Sequence, residues 1–225
     1  MDELTEMWQE ALTSEFLGEP QVKIDQFLLT FGLALGNQSE VFKQAYVAYL
    51  KHENSHSYEP MIGAPLVFNF DLEREKVTLQ RFEDQAELSF PQFQRYMGLI
   101  DLIFSEIYPV GSVVELDSNK LSAEVKAYFK RSESGPLVTI HARRVPSDDR
   151  QNYIDYIGTV WPFGMLPDVE PILLNNLLIK RVVSAGLTND EEKKYVLQVL
   201  KKEILLDGCL STMYAERKRG EVNES

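Results

Sequence analysis

Pro109 constrains this chain more than any other residue. Proline has no amide hydrogen and drives the residue before it out of helical geometry, so the amphipathic run that precedes it must stop there. Upstream, Ser89 and Pro91 open a long helix in which Phe93, Tyr96, Met97, Ile100, Ile103, Phe104 and Ile107 form a wide apolar face. Downstream, Pro109-Val110-Gly111-Ser112-Val113-Val114-Glu115-Leu116 begins a region of short alternating runs. The hydrophobic period thus falls from about 3.6 residues to 2 across a helix-ending residue. This change predicts two modules, an α+β module over 1–107 and a β-rich module with a C-terminal helix over 108–225.

Charge divides at the same place. Positions 1–107 hold 18 Asp and Glu against 7 Lys and Arg, and the remainder holds 17 against 16, in a chain of net charge −12. A field of this sign repels phosphate backbones, which argues against nucleic-acid binding and favours a protein partner. At 225 residues, with 44% hydrophobic and 26% charged residues, the chain can bury an ordinary core. Cys209 is the single cysteine, so no intramolecular disulfide or Cys-based zinc cluster can form, and it reads as a buried, inert thiol. The first residues carry Asp2, Glu3, Glu6, Glu10 and Glu15 rather than a basic start and apolar run. No stretch of about 18 apolar residues is available to cross a bilayer, and the expectation is a cytoplasmic protein without membrane insertion.

Within the first module, Leu4, Met7, Trp8, Ala11 and Leu12 make an amphipathic helix that Gly18 and Pro20 stop. Ile24 to Leu35 reads as a buried helix, and Ser39 as the cap of a third helix running from Glu40 to about His52. Leu66 to Phe82 alternates about the polar segment Asp71 to Glu75, the pattern of a β-hairpin. Within the second module, Ser112–Leu116, Ala123–Phe129, Leu137–Val145, Tyr153–Val160 and Ile179–Ala185 read as five strands. A small barrel-like sheet is the expectation, because closure limits exposed edges. Thr188 with Glu191 reads as a capping box for the last helix, with Val196, Val199, Leu200 and Ile204 inward and Lys193, Lys194, Lys201 and Lys202 outward. Glu216 to Ser225 is charged and expected to fray.

One stretch has the spacing of a catalytic motif. His52-Glu53-Asn54-Ser55-His56 fits His-Glu-x-x-His, in which one helical turn sets two imidazoles on one face for zinc and the glutamate activates water. The chemistry needs a continuous helix, yet Asn54, Ser55 and Ser57 are poor helix formers and Pro60 closes the segment. It also needs a third ligand. His141 lies in the other module, and Glu59, Glu73 or Glu75 would serve only if the hairpin folded back. Solvent-facing histidines at a helix C-terminus are the preferred reading; a small zinc hydrolase using His52, Glu53 and His56 is the alternative. No other catalytic, metal or cofactor residue is assigned. Gly111 and Gly158 make no phosphate loop. Arg143-Arg144 and Lys180-Arg181 read as a solvated rim, since adjacent strand residues face opposite ways. Tyr153, Tyr156 and Trp161 read as core, with an aromatic peptide groove as the alternative.

Pro109 to Leu116, Leu137 to Arg144, Ile154-Asp155-Tyr156-Ile157-Gly158, Pro162-Phe163-Gly164, and Ile179 to Gly186 followed by Asp190-Glu191-Glu192 together resemble a domain of unknown function of Gram-positive bacteria. The chain departs from that pattern at Ile154, where a tyrosine is usual, and in its longer Ser122 to Val145 region. The resemblance implies a cytoplasmic, non-enzymatic accessory protein encoded beside type VII secretion systems and their LXG toxins. In that setting it implies a targeting factor or chaperone for a toxin, or a toxin-neutralising immunity protein. The implied partner is the helical head of a secreted toxin or another secretion component, bound mostly by the acidic first module with its apolar stripes. Homo-oligomerisation, through the Phe93 to Ile107 face or the aromatic strands, is left open.

Overall fold

The computed structural model describes residues 2–18, 23–61, 63–130, 132–148, 150–167 and 170–215. The chain forms two compact units, Met1–Ser105 and Glu106–Ser225, and its class is α+β. The first helix ends at Ala11, ahead of the stop expected from Gly18 and Pro20; Pro20 itself and the segment 216–225, for which fraying is expected, lie outside the described residues.

In the first unit, α1 (Glu3–Ala11), α2 (Gln26–Gly36) and α3 (Ser39–Leu50) precede an antiparallel meander of β1 (Ser55–Tyr58), β2 (Leu66–Asp71), β3 (Lys76–Arg81) and β4 (Asp84–Ser89), and α4 (Phe90–Phe104) follows. The expected hairpin is β2 and β3, and two further strands flank it. α4 begins as its sequence requires: the Ser89 hydroxyl accepts from the Gln92 amide while the Gln92 side chain accepts from the Ser89 amide. Ser39, in contrast, is the first residue of α3, and Gln38 occupies the cap position without a capping bond, its side chain donating instead to the Ala34 carbonyl.

The apolar stripes of these helices are used within the unit. The Trp8 indole donates to the Leu29 carbonyl at 3.0 Å and packs edge-on against Tyr96, whose hydroxyl donates to the Leu28 carbonyl at 2.7 Å. Burial pushes the Tyr96 phenol well above its ordinary pKa. A Cβ on Gly32 would stand 2.1 Å from Trp8 Cζ2, so that glycine lets α1 lie against α2. Phe31, Phe68, Phe70 and Phe93 fill the space between helices and sheet.

In the second unit the main sheet runs β10-β7-β6-β5-β9, with β8 also paired to β7. Its strands are β5 (Val113–Leu116), β6 (Leu137–Pro146), β7 (Asn152–Val160), β8 (Ile172–Leu174), β9 (Ile179–Ser184) and β10 (Leu210–Ser211). The sheet is open, not barrel-like. Its apolar face is covered by helices instead: Leu121 and Phe129, which bracket α5 (Ala123–Tyr128), and Leu200 join Val114, Val138, Ile140, Tyr156 and Ile179 in one core.

α5 corrects the strand expected over Ala123–Phe129. Ala-Glu-Val-Lys-Ala alternates in period 2, but its Ala, Glu and Lys favour helix, Val125 and Phe129 share a helical face, and the Ser122 hydroxyl caps the turn through the Val125 amide. The final helix is capped by Asn189, which accepts from the Glu192 amide at 2.9 Å, and not by Thr188, whose hydroxyl contacts the Gly186 carbonyl. It runs as α6 (Asp190–Tyr195), a π-helical stretch Val196–Glu203 and α7 (Ile204–Leu206). The wider turn shifts the side-chain register, and Lys201, expected in solvent, is buried.

Gly158 fixes how closely β6 and β7 pack. It pairs with Ile140 on one side and Ile172 on the other, and a Cβ there would lie 2.4 Å from Val138 Cγ1 and 2.6 Å from the Thr139 carbonyl oxygen. The latter is backbone and cannot swing aside. Gly158→Ala is therefore expected to destabilise the protein by about 1–3 kcal/mol in urea unfolding, the usual range for overpacking; unchanged stability would show that the strands do not meet this closely.

Candidate functional site

The His-Glu-x-x-His stretch does not form the helical face that zinc chemistry needs. α3 ends at Leu50, His52 has φ 56°, and the chain turns at Glu53 so that His56 lies on β1 opposite Phe68. Among the described residues no group of three or more His, Cys, Asp or Glu is placed to hold a metal ion. His52 is exposed, whereas the His56 ring lies 6.1 Å from that of Phe68, with Nε2 buried and making no hydrogen bond among the described residues. Burial lowers the His56 pKa, against the opposing effect of the Glu53 carboxylate.

The arginines expected at a solvated rim point into the unit. A register shift between Ile140 and Ala142 and a φ of 45° at Arg144 break the alternation of β6. Arg143 forks onto both carboxylate oxygens of Glu192, with Nη2 2.6 Å from Oε2, and lies over the Tyr195 ring. Arg144 is buried, donates to the Leu200 carbonyl at 2.5 Å and lies over the Tyr153 ring. The pair clamps the last helix to the sheet. Lys180 and Arg181 do remain exposed, and both hold Glu115, whose pKa they lower through their hydrogen bonds. Tyr153 and Tyr156 are core residues; the Tyr156 hydroxyl accepts from the Tyr108 amide and donates to the Glu106 carbonyl, and burial raises its pKa. Trp161 is partly exposed, and Cys209 is half-buried with its thiol 3.4 Å from the Arg150 carbonyl.

Among the described residues, the second unit carries a groove of about 420 Å³. One wall is α5 and its end, with Ala127, Tyr128 and Lys130; the other is the turn after β7, with Phe163, Gly164 and Leu166, and then Glu170; Thr159 and Val160 lie between them in sequence and line it too. Local structure sets both walls. Phe129 is buried beneath α5 while its neighbour Tyr128 is 46% exposed. Across the groove, the Val160 carbonyl accepts from the amides of Phe163 and Gly164, and the Trp161 amide donates to the Leu137 carbonyl, so the turn is tied to the sheet. The Thr159 hydroxyl is 2.7 Å from His141 Nε2.

Phe163 and Leu166, which line the groove with Tyr128, are exposed by 44% and 43%, and Met165, between them in sequence, by 69%. Grouped apolar exposure at a concave site is a pattern shared by ligand grooves and contact surfaces. The sequence could have suggested half of it: Trp161-Pro162-Phe163-Gly164-Met165-Leu166 is strongly apolar for a turn. The other half was hidden by the strand expected over Ala123–Phe129, which would not have set Tyr128 and Lys130 opposite the turn.

Fold and groove together define a two-unit α+β protein whose second unit couples an open, helix-covered sheet to an apolar surface groove. Residues 107–195 match the model of a family described as a domain of unknown function, DUF4176, and this span contains the whole groove. No curated protein and no solved structure matches the chain. No helix among the described residues is long and apolar enough to cross a membrane.

The His56 environment has a measurable consequence. An imidazole held below its ordinary pKa of 6.5 favours the folded state when neutral, so its contribution is complete above that pH and is lost as pH falls and the unfolded chain takes up the proton first. The stability of the wild type relative to His56→Leu is expected to fall between about pH 7 and pH 5. A difference that stays flat across this range in paired urea titrations would place His56 in water.

Proposed function

We propose that the protein is a non-enzymatic accessory protein of a type VII secretion locus, which binds an LXG-type toxin in the cytoplasm as a targeting factor or chaperone. The observation that carries the binding role is the set of exposed apolar side chains, Tyr128, Phe163 and Leu166, that line the groove. The match to a domain of unknown function over the same region supports an assignment to that family's setting. The secretion setting itself follows from the resemblance of the Pro109–Leu116, Ile154–Gly158 and Pro162–Gly164 stretches.

The surface that supports this reading is not the one expected from the sequence. The stripes of α1, α2 and α4 bury Met7, Trp8, Leu28, Phe31, Phe93 and Ile100, leaving little of them for a partner. The acidic character of the first unit still favours approach by a basic protein, through rate and orientation more than through affinity.

Co-expression with the toxin encoded nearest to it tests the proposal. The two proteins are expected to co-purify at mild salt, and failure to associate would refute it. Survival of cells producing the active toxin separates the roles: protection by this protein alone indicates neutralisation, and its absence with retained association indicates targeting or chaperone duty.

A further inference from the structure

We infer that the groove between α5 and the turn after β7 receives a segment of another protein chain that inserts one bulky apolar side chain, flanked on one side by an acidic residue and on the other by a basic one. This rests on the reading of the protein as an interaction partner and names the chemistry of the segment it takes. The volume, about 420 Å³, lies within the range of ligand sites. Tyr128, Phe163 and Leu166 line it and yet stay 46%, 44% and 43% exposed, so the groove is open along its rim rather than enclosed. A chain segment covers groove and rim together, with an anchor in the pocket and less energetic contacts around it.

Charge selects the flanking residues. Lys130, just after α5, and Glu170, beyond the turn, both line the groove, and both are exposed. Neither makes an ion pair among the described residues. A segment with charges of one sign only would satisfy one of these residues and oppose the other, whereas an acid facing Lys130 and a base facing Glu170 satisfy both. Rim pairs of this kind add little affinity but fix the direction in which a segment lies.

The test is selection of short random peptides on the full-length protein, followed by affinity measurement with the enriched peptide. Enriched sequences are expected to share one bulky apolar residue with an acid on one side and a base on the other. Phe163→Ser should weaken binding roughly tenfold or more. Lys130→Glu should weaken it about threefold, with recovery when the acidic residue of the peptide is changed to lysine. Both positions are exposed, and the unfolding midpoint checks that each variant folds. Absence of enrichment, enriched peptides without an apolar anchor, or affinity unchanged in Phe163→Ser would overturn the inference. So would a wild-type dimer that Phe163→Ser converts to monomer, since the groove would then hold a second copy. Failure of the toxin to co-purify while selected peptides still bind would refute the secretion setting alone; a toxin that co-purifies equally with Phe163→Ser would refute this inference alone.

Discussion

The close approach of β6 to β7 at Gly158 is the constraint on which the second unit depends. With only a hydrogen at that position, Val138 and Ile140 lie directly against the strand, and Tyr156 and Val160 extend the same apolar face. α5 and the last helix can then cover one continuous surface through Phe129 and Leu200. The groove inherits its geometry from this arrangement. Phe129, anchored on the sheet, sets α5, and Val160, the last residue of β7, holds the turn that carries Phe163 and Leu166. Gly158, which forms no phosphate loop, thus lets the strand that carries Thr159 and Val160 to the groove pack closely on β6.

The same ladder explains the arginine clamp. Once the bulge near His141 and the left-handed backbone at Arg144 break the period of β6, adjacent arginines no longer face opposite sides of the sheet. One pairs with Glu192 and the other takes the Leu200 carbonyl within the π-helical stretch. An arginine that satisfies a buried carbonyl contributes structure rather than chemistry, and removing it would leave that carbonyl bare. Arg143 and Arg144 thus hold the last helix, whereas Lys180 and Arg181 pair with Glu115 at the surface.

Much of this fold is legible in the sequence wherever a strong local signal agrees with the tertiary environment. The helix start at Ser89 and Pro91 and the alternation over Leu66–Phe82 are of this kind, and the apolar face from Phe93 is another, although the helix ends at Phe104, short of Pro109, and Ile107 joins the core of the second unit. Where local and tertiary preferences diverge, the reading fails for identifiable reasons. Ala123 to Phe129 satisfies both periods, and only the Ser122 cap and the burial of Phe129 decide for helix. β1, β8 and β10 span two to four residues each, too short for a periodic signal, and exist through their partners β2 and β7. Lys201 is drawn inward by a π-helical turn that no residue pattern announces. The groove was half legible, in the apolar turn beginning at Trp161, because its other wall stands on the element whose type was misread.

The distribution of apolar surface connects fold to role. In the first unit the helical stripes are consumed by packing around Trp8, Phe31 and Phe93, and acidic residues dominate what is left. In the second, large apolar side chains remain in water around a concave site. The central claim is that a protein partner binds at that site, and hydrogen exchange of the full chain with and without the co-purified toxin tests it most directly. Slowed exchange over α5 and residues 160–167 is expected on complex formation; slowing confined to α1–α4, with α5 and the turn unchanged, would contradict the claim.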